Sequence, residues 1–143
     1  ETVSQSNAKR SAQSYLKYSS FSRSGLIDQL KYEGFSESDA TYGVDILNTN
    51  WNDQAVKSAQ GYLEYSAFSR SGLVDQLEYE GFSSAQAEFG VSGVSVDWNE
   101  QAAKSAQSYL NYSAFSRSGL IDQLLYEGFS QAQAEYGVNS VGL

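Results

Sequence analysis

Ser58-Ala-Gln-Gly-Tyr-Leu-Glu-Tyr-Ser-Ala-Phe-Ser-Arg-Ser-Gly-Leu-Val-Asp-Gln-Leu-Glu-Tyr-Glu-Gly-Phe-Ser83 decides the fold, because the chain writes this stretch three times with few changes. Ser-Ala-Gln begins at Ser11, Ser58 and Ser105, so each step is 47 residues. Between residues 55–90 and 102–137, 29 of 36 positions are identical. A fixed period of this length marks tandem copies of one supersecondary unit. A unit this small buries little core alone, so neighbouring copies are expected to support one another.

Within each copy the pattern reads as three helices. In the middle copy, Trp51, Ala55, Ala59, Tyr62 and Leu63 share one face at helical spacing, which predicts a first helix over Trp51–Tyr65. Asn50 is its candidate N-cap with Asp53 three residues on, and Asp97 with Glu100 repeats the arrangement. A second helix is predicted from Ser69 or Ser71 to Glu80, with Leu73, Val74 and Leu77 inward. Gly81 then suits a left-handed C′ position and Phe82 its hydrophobic contact. Ser83 caps a short third helix over Ser84–Phe89 that is expected to stop at Gly90. The tight Glu-Gly-Phe-Ser turn between helices two and three gives helix-turn-helix character. The division expected is a flexible leader over 1–7, repeat 1 with its linker over 8–50, repeat 2 over 51–97 and repeat 3 over 98–143. The linkers Val44–Asn50 and Val91–Asp97 are expected to be extended. The fold class is therefore all-α: three tandem three-helix units joined by short extended linkers.

Composition narrows the functions. The 143 residues carry a net charge of −8, with 11 Tyr, 7 Phe and 2 Trp but no Cys, His, Met or Pro. Without Cys or His there is no tetrahedral zinc site, thiolate nucleophile or Ser-His-Asp triad, and no cofactor is implied. Residues 51–97 hold seven acidic and two basic side chains, a local charge of −5, against −1 before them and −2 after. A protein that neutralises phosphates needs the opposite sign, so nucleic acid is not the expected partner despite the helix-turn-helix pattern. A basic protein segment is. No run of apolar residues is long enough to span a bilayer.

Each copy repeats two motifs that resemble chemistry. The Ser-Arg-Ser-Gly box at Ser22–Gly25, Ser69–Gly72 and Ser116–Gly119 reads as a helix start, since serine caps and no base is present to activate it. Asp28, Asp75 and Asp122 recur with Glu33, Glu80 and Glu127. Paired carboxylates could serve a glycan hydrolase or a calcium site, but five residues apart on a short helix they point to different faces. A salt bridge to the box arginine, or a solvated face, is the simpler expectation. The tyrosines split into core residues and interface anchors that the sequence alone does not sort.

Trp-Asn-x-Gln-Ala-x-Lys-Ser-Ala-Gln-x-Tyr-Leu, Phe-Ser-Arg-Ser-Gly-Leu-x-Asp-Gln-Leu and Tyr-Glu-Gly-Phe-Ser together resemble the Ltp family of host-cell-surface-exposed lipoproteins over residues 8–143. The resemblance implies helix-turn-helix-like modules and a Gram-positive envelope protein held to the membrane by a lipid-modified Cys upstream of Glu1. Members encoded by prophages act in superinfection exclusion, blocking DNA injection by engaging the phage tape measure protein. The expectation is a non-enzymatic surface protein that docks a basic segment of that partner through Glu64, Asp75, Glu78, Glu80 and Glu88. The alternatives are an envelope adhesion or scaffolding module binding a host protein or cell-wall polymer, and a glycan hydrolase built on the Asp/Glu pairs.

Overall fold

The computed structural model describes residues 1–143 as nine helices and no strand. Repeat 1 contains α1 (Val3–Tyr18), α2 (Arg23–Tyr32) and α3 (Glu37–Asp45). Repeat 2 contains α4 (Trp51–Tyr65), α5 (Arg70–Glu80) and α6 (Ser84–Ser92). Repeat 3 contains α7 (Trp98–Tyr112), α8 (Arg117–Tyr126) and α9 (Gln131–Ser140).

Caps set the helix limits. Ser22, Ser69 and Ser116 each accept the backbone N–H three residues on, so the Ser-Arg-Ser-Gly box is a helix start. Asn50 and Asp97 cap α4 and α7, and Ser83 and Ser130 form full capping boxes with Gln86 and Gln133. Gly81 ends α5 at φ 113°, a conformation that a side chain would strain.

Each repeat has its own core. In repeat 2 it comprises Ala55, Ala59, Leu73, Val74, Leu77, Phe82, Ala87 and Val91. α4 contributes only the small residues Ala55 and Ala59 to the fully buried part, with Tyr62 and Leu63 at its edge, and α6 packs directly on that alanine face. A Cβ added at Gly90 would stand 2.7 Å from the Ala55 carbonyl carbon. Gly43 meets Ala8, and Gly137 meets Ala102, in the same way. Gly90 is therefore a contact residue inside α6 and does not end it; the helix runs on to Ser92, with Val91 buried. The linker shortens accordingly to residues 93–97.

Residues 1–7 are not a flexible leader. Thr2 and Gln5 form a capping box, and α1 begins at Val3. Ser4 Oγ donates to Asp39 at 2.7 Å, the Tyr42 hydroxyl donates to Glu1 at 2.6 Å, and Lys9 pairs with Glu1 at 3.2 Å. The polar character of the segment concealed a capped helix tied to α3.

The repeats are joined by side chains that leave their own unit. Trp51 packs against the repeat 1 core and Trp98 against the repeat 2 core. Gln54, buried on α4, accepts the backbone N–H of Phe21 at 3.0 Å; Gln101 does the same for Phe68. Ser22 donates to the Glu80 carbonyl at 2.8 Å, and Ser69 donates to that of Glu127. Ser22 and Ser69 thus each start one helix and close the end of the second helix in the next repeat. Ser69→Ala removes the cap of α5 and the link to α8 together, with an expected cost of about 2 kcal/mol. Urea melts of the whole chain check this; a cost below about 0.5 kcal/mol would mean that solvent replaces both bonds.

Candidate functional site

The structure sorts the tyrosines of the first two helices of each repeat into two sets. Tyr15, Tyr62 and Tyr109 are half-buried, each edge-on to a phenylalanine (Phe21, Phe68 and Phe115) at 5.7–5.9 Å between centroids. Each hydroxyl takes a glutamine N–H from the second helix (Gln29, Gln76 and Gln123) and faces the glutamate at that helix's end. In repeat 3 the Tyr109 hydroxyl donates to Glu127. Tyr65, Tyr79, Tyr112 and Tyr126 are 91%, 88%, 92% and 87% exposed, and Tyr18 and Tyr32 match them in repeat 1. These six rings are the interface candidates.

Burial, followed by the neighbouring carboxylate, holds the Tyr109 phenol above its ordinary 10.0. Burial is also the main cause at Tyr62, and the hydrogen bond to Glu33 is the main cause at Tyr15. A phenol raised in the fold contributes stability that is fully present below pH 10 and lost as pH rises through the folded value. Stability in urea is therefore expected to hold at pH 9 and decline above pH 10. Tyr62→Phe and Tyr109→Phe should each make that alkaline decline shallower; an unchanged slope in both would remove these phenols as its source.

The five acidic candidates do not converge. No three carboxylates come close enough to hold a metal ion. Glu64, Asp75 and Glu78 are exposed without an ion pair, Glu64 beside a shallow groove with Leu63 and Val94. Glu88 is neutralised by Arg70 at 2.9 Å. Glu80 turns toward its own repeat and accepts from Ser58 at 3.2 Å. In repeats 1 and 2 the box arginine thus pairs with the third helix, not with the recurring Asp/Glu of the second: Arg23 binds Asp45 through two bonds of 2.7 and 2.8 Å. That guanidinium holds the Asp45 carboxyl below its usual range. Asp75 and Glu80 occupy different surroundings, one in solvent and one under Tyr62, as their five-residue spacing predicts.

Of the concave sites where repeats meet, two share a common set of lining residues. Ser20, Ser58, Gly61, Tyr62, Tyr65 and Glu80 line the first, a cleft of about 240 Å³. The second, of about 210 Å³, has Ser105, Tyr109, Tyr112 and Glu127 at the equivalent positions, with Ser66 and Ala67 from the preceding repeat. The sequence pointed to Glu80 and left the tyrosines unsorted, and the clefts stayed hidden because one wall of each, Ser20 in the first and Ser66 with Ala67 in the second, comes from the preceding copy. The available signal was the copy-to-copy variation. The joint residues Trp51 and Gln54 recur as Trp98 and Gln101, whereas repeat 1 has Ser4 and Asn7 there.

A family model described as host cell surface-exposed lipoprotein matches residues 4–47, 50–94 and 97–141, one match per three-helix unit. The chain belongs to the Ltp lipoprotein family. No curated protein and no solved structure matches it. The first match starts at residue 4, inside α1. No helix is long and apolar enough to cross a membrane.

Proposed function

We propose that this chain is the ectodomain of a superinfection-exclusion lipoprotein and not an enzyme. Anchored by an upstream lipid-modified Cys on the outer face of a Gram-positive cytoplasmic membrane, it binds a basic segment of the phage tape measure protein and stops DNA injection. The threefold Ltp match carries the reading. The −5 charge of residues 51–97 supports a basic partner. So does the exposure of Glu64, Asp75 and Glu78, which no cation of the protein neutralises. Glu88, already paired with Arg70, and Glu80, turned inward, contribute less to this long-range attraction.

The test is phage DNA injection into cells displaying the anchored protein, with adsorption measured in parallel. Normal adsorption with blocked injection is the expected result. Normal injection across a broad phage panel would overturn exclusion and favour binding to an envelope protein or wall polymer. Neutralising Glu64→Gln, Asp75→Asn and Glu78→Gln together should slow association with the tape measure protein about tenfold at low salt and flatten its salt dependence. Unchanged association rate and salt slope would remove these three residues from the docking step.

A further inference from the structure

We propose that the two inter-repeat clefts are equivalent receptors for arginine side chains of a protein partner, each seating one guanidinium between a carboxylate and an exposed tyrosine ring. The proposal rests on the reading of the partner as a basic protein and adds where its cations bind.

The clefts share four lining residues and differ in the preceding repeat's wall, Ser20 in the first and Ala67 in the second. Ser58, Tyr62, Tyr65 and Glu80 recur 47 residues on as Ser105, Tyr109, Tyr112 and Glu127. One oxygen of each carboxylate is held: Glu80 Oε1 accepts from Ser58, and Glu127 Oε1 accepts from Tyr109. The other oxygen, Oε2, has no hydrogen-bond partner in the protein, and no Lys or Arg pairs with either glutamate. Asp45 and Glu88, by contrast, each have an arginine. A negative charge in a cleft, with acceptor sites to spare, is what a charge-assisted donor requires. The Tyr65 and Tyr112 rings stand open beside it and offer faces to a cation.

Arginine fits this chemistry better than lysine. Its planar fork can donate to the free carboxylate oxygen and the serine hydroxyls while stacking on a ring; an ammonium does only part of this. The polar side chains of the lining offer only hydroxyl and carboxylate oxygens, the rest of the lining is apolar and suits the flat face and stem of an arginine, and a net charge of −8 disfavours an anionic occupant. Both clefts depend on the joints. Tyr15 and Glu33 make the same pairing in repeat 1, yet no cleft forms over them among residues 1–143. Two sites at one register also allow one partner segment to engage both, which multiplies affinity without any new type of contact.

The test is an NMR titration of the full chain with N-acetyl-arginine amide, with the isosteric, uncharged citrulline amide as control. Saturable amide shifts are expected at both clefts, around Gly61 and Tyr65 and around Ala67 and Tyr112, and the citrulline probe should bind at least about tenfold more weakly. Tyr65→Ala should abolish the response of the first cleft and leave the second intact; Tyr112→Ala should do the reverse. Both rings are exposed, so each variant keeps its fold, and the untouched cleft is the internal control. Equal binding of citrulline would overturn the proposal. So would shifts centred on Glu64, Asp75 and Glu78, or a response at the clefts to cell-wall glycan fragments but not to arginine. Exclusion undiminished in a Tyr65→Ala/Tyr112→Ala chain would overturn the clefts as the docking site and leave exclusion standing. Clefts that bind arginine in a protein that does not exclude phage would leave the clefts standing and overturn exclusion.

Discussion

Gly90→Val should destabilise repeat 2 by on the order of 3 kcal/mol, among the largest effects of any single substitution in the chain. At Gly90 the first branching atom would sit 2.7 Å from the Ala55 carbonyl carbon and 2.8 Å from its Cβ and oxygen. Those neighbours are mostly backbone of α4, so no rotamer change relieves the overlap. α6 must move away from α4, which opens the layer of Ala55, Ala59, Ala87 and Val91 between them. The contrast is Gly61, in the middle of α4 with nothing within 4 Å of the added Cβ. Gly61→Ala should stabilise by about 0.5–1 kcal/mol, since glycine in an open helix position costs backbone entropy. Denaturant melts of both variants check the pair. Gly90→Val within 0.5 kcal/mol of the parent would mean that the α4–α6 contact is looser than the structure has it.

Leu77→Ala should cost about 3–4 kcal/mol. Leu77 is fully buried at the centre of the repeat 2 core, beside Leu73 and Phe82, and truncation leaves a cavity that rigid helices close only in part. Two residues along α5, Tyr79 is 88% exposed, and Tyr79→Ala should change stability by less than 0.5 kcal/mol. Chemical denaturation with per-residue hydrogen exchange reads both the size and the extent of the loss. Trp98 lies on the Leu77 core, and Ser69 bonds to Glu127, so the Leu77→Ala loss should reach the α7 and α8 amides next to that joint. Protection lost in repeat 2 alone would show that the joints transmit little.

The contrast between Leu77 and Tyr79 also shows how much was legible in the chain. Leu73, Val74 and Leu77 fall at helical spacing, so their burial followed from periodicity, and the observed core agrees. The limits of α4 and the caps Asn50, Ser69 and Ser83 followed from residues whose side chains satisfy local backbone groups. The α1 start at Val3 was equally local, through Thr2 and Gln5, but the polarity of the segment outweighed the capping signature. Tyr62 and Tyr65 differ by less than one helical turn, and one reaches the core rim while the other points to solvent. Their separation depends on where α5 lies.

The repeat, the nine helices, the family and the acidic bias are local properties of the chain, since they rest on period, on capping within a few residues and on composition. Helix packing is what makes Gly90 a helix contact, turns Trp51 and Gln54 to the preceding repeat, gives Glu88 to Arg70 and sets Glu80 in a cleft. Each of these joins residues 18–58 positions apart or in different copies. Three nearly identical copies give the chain no local mark of which neighbour a side chain meets; that is settled only when the helices pack.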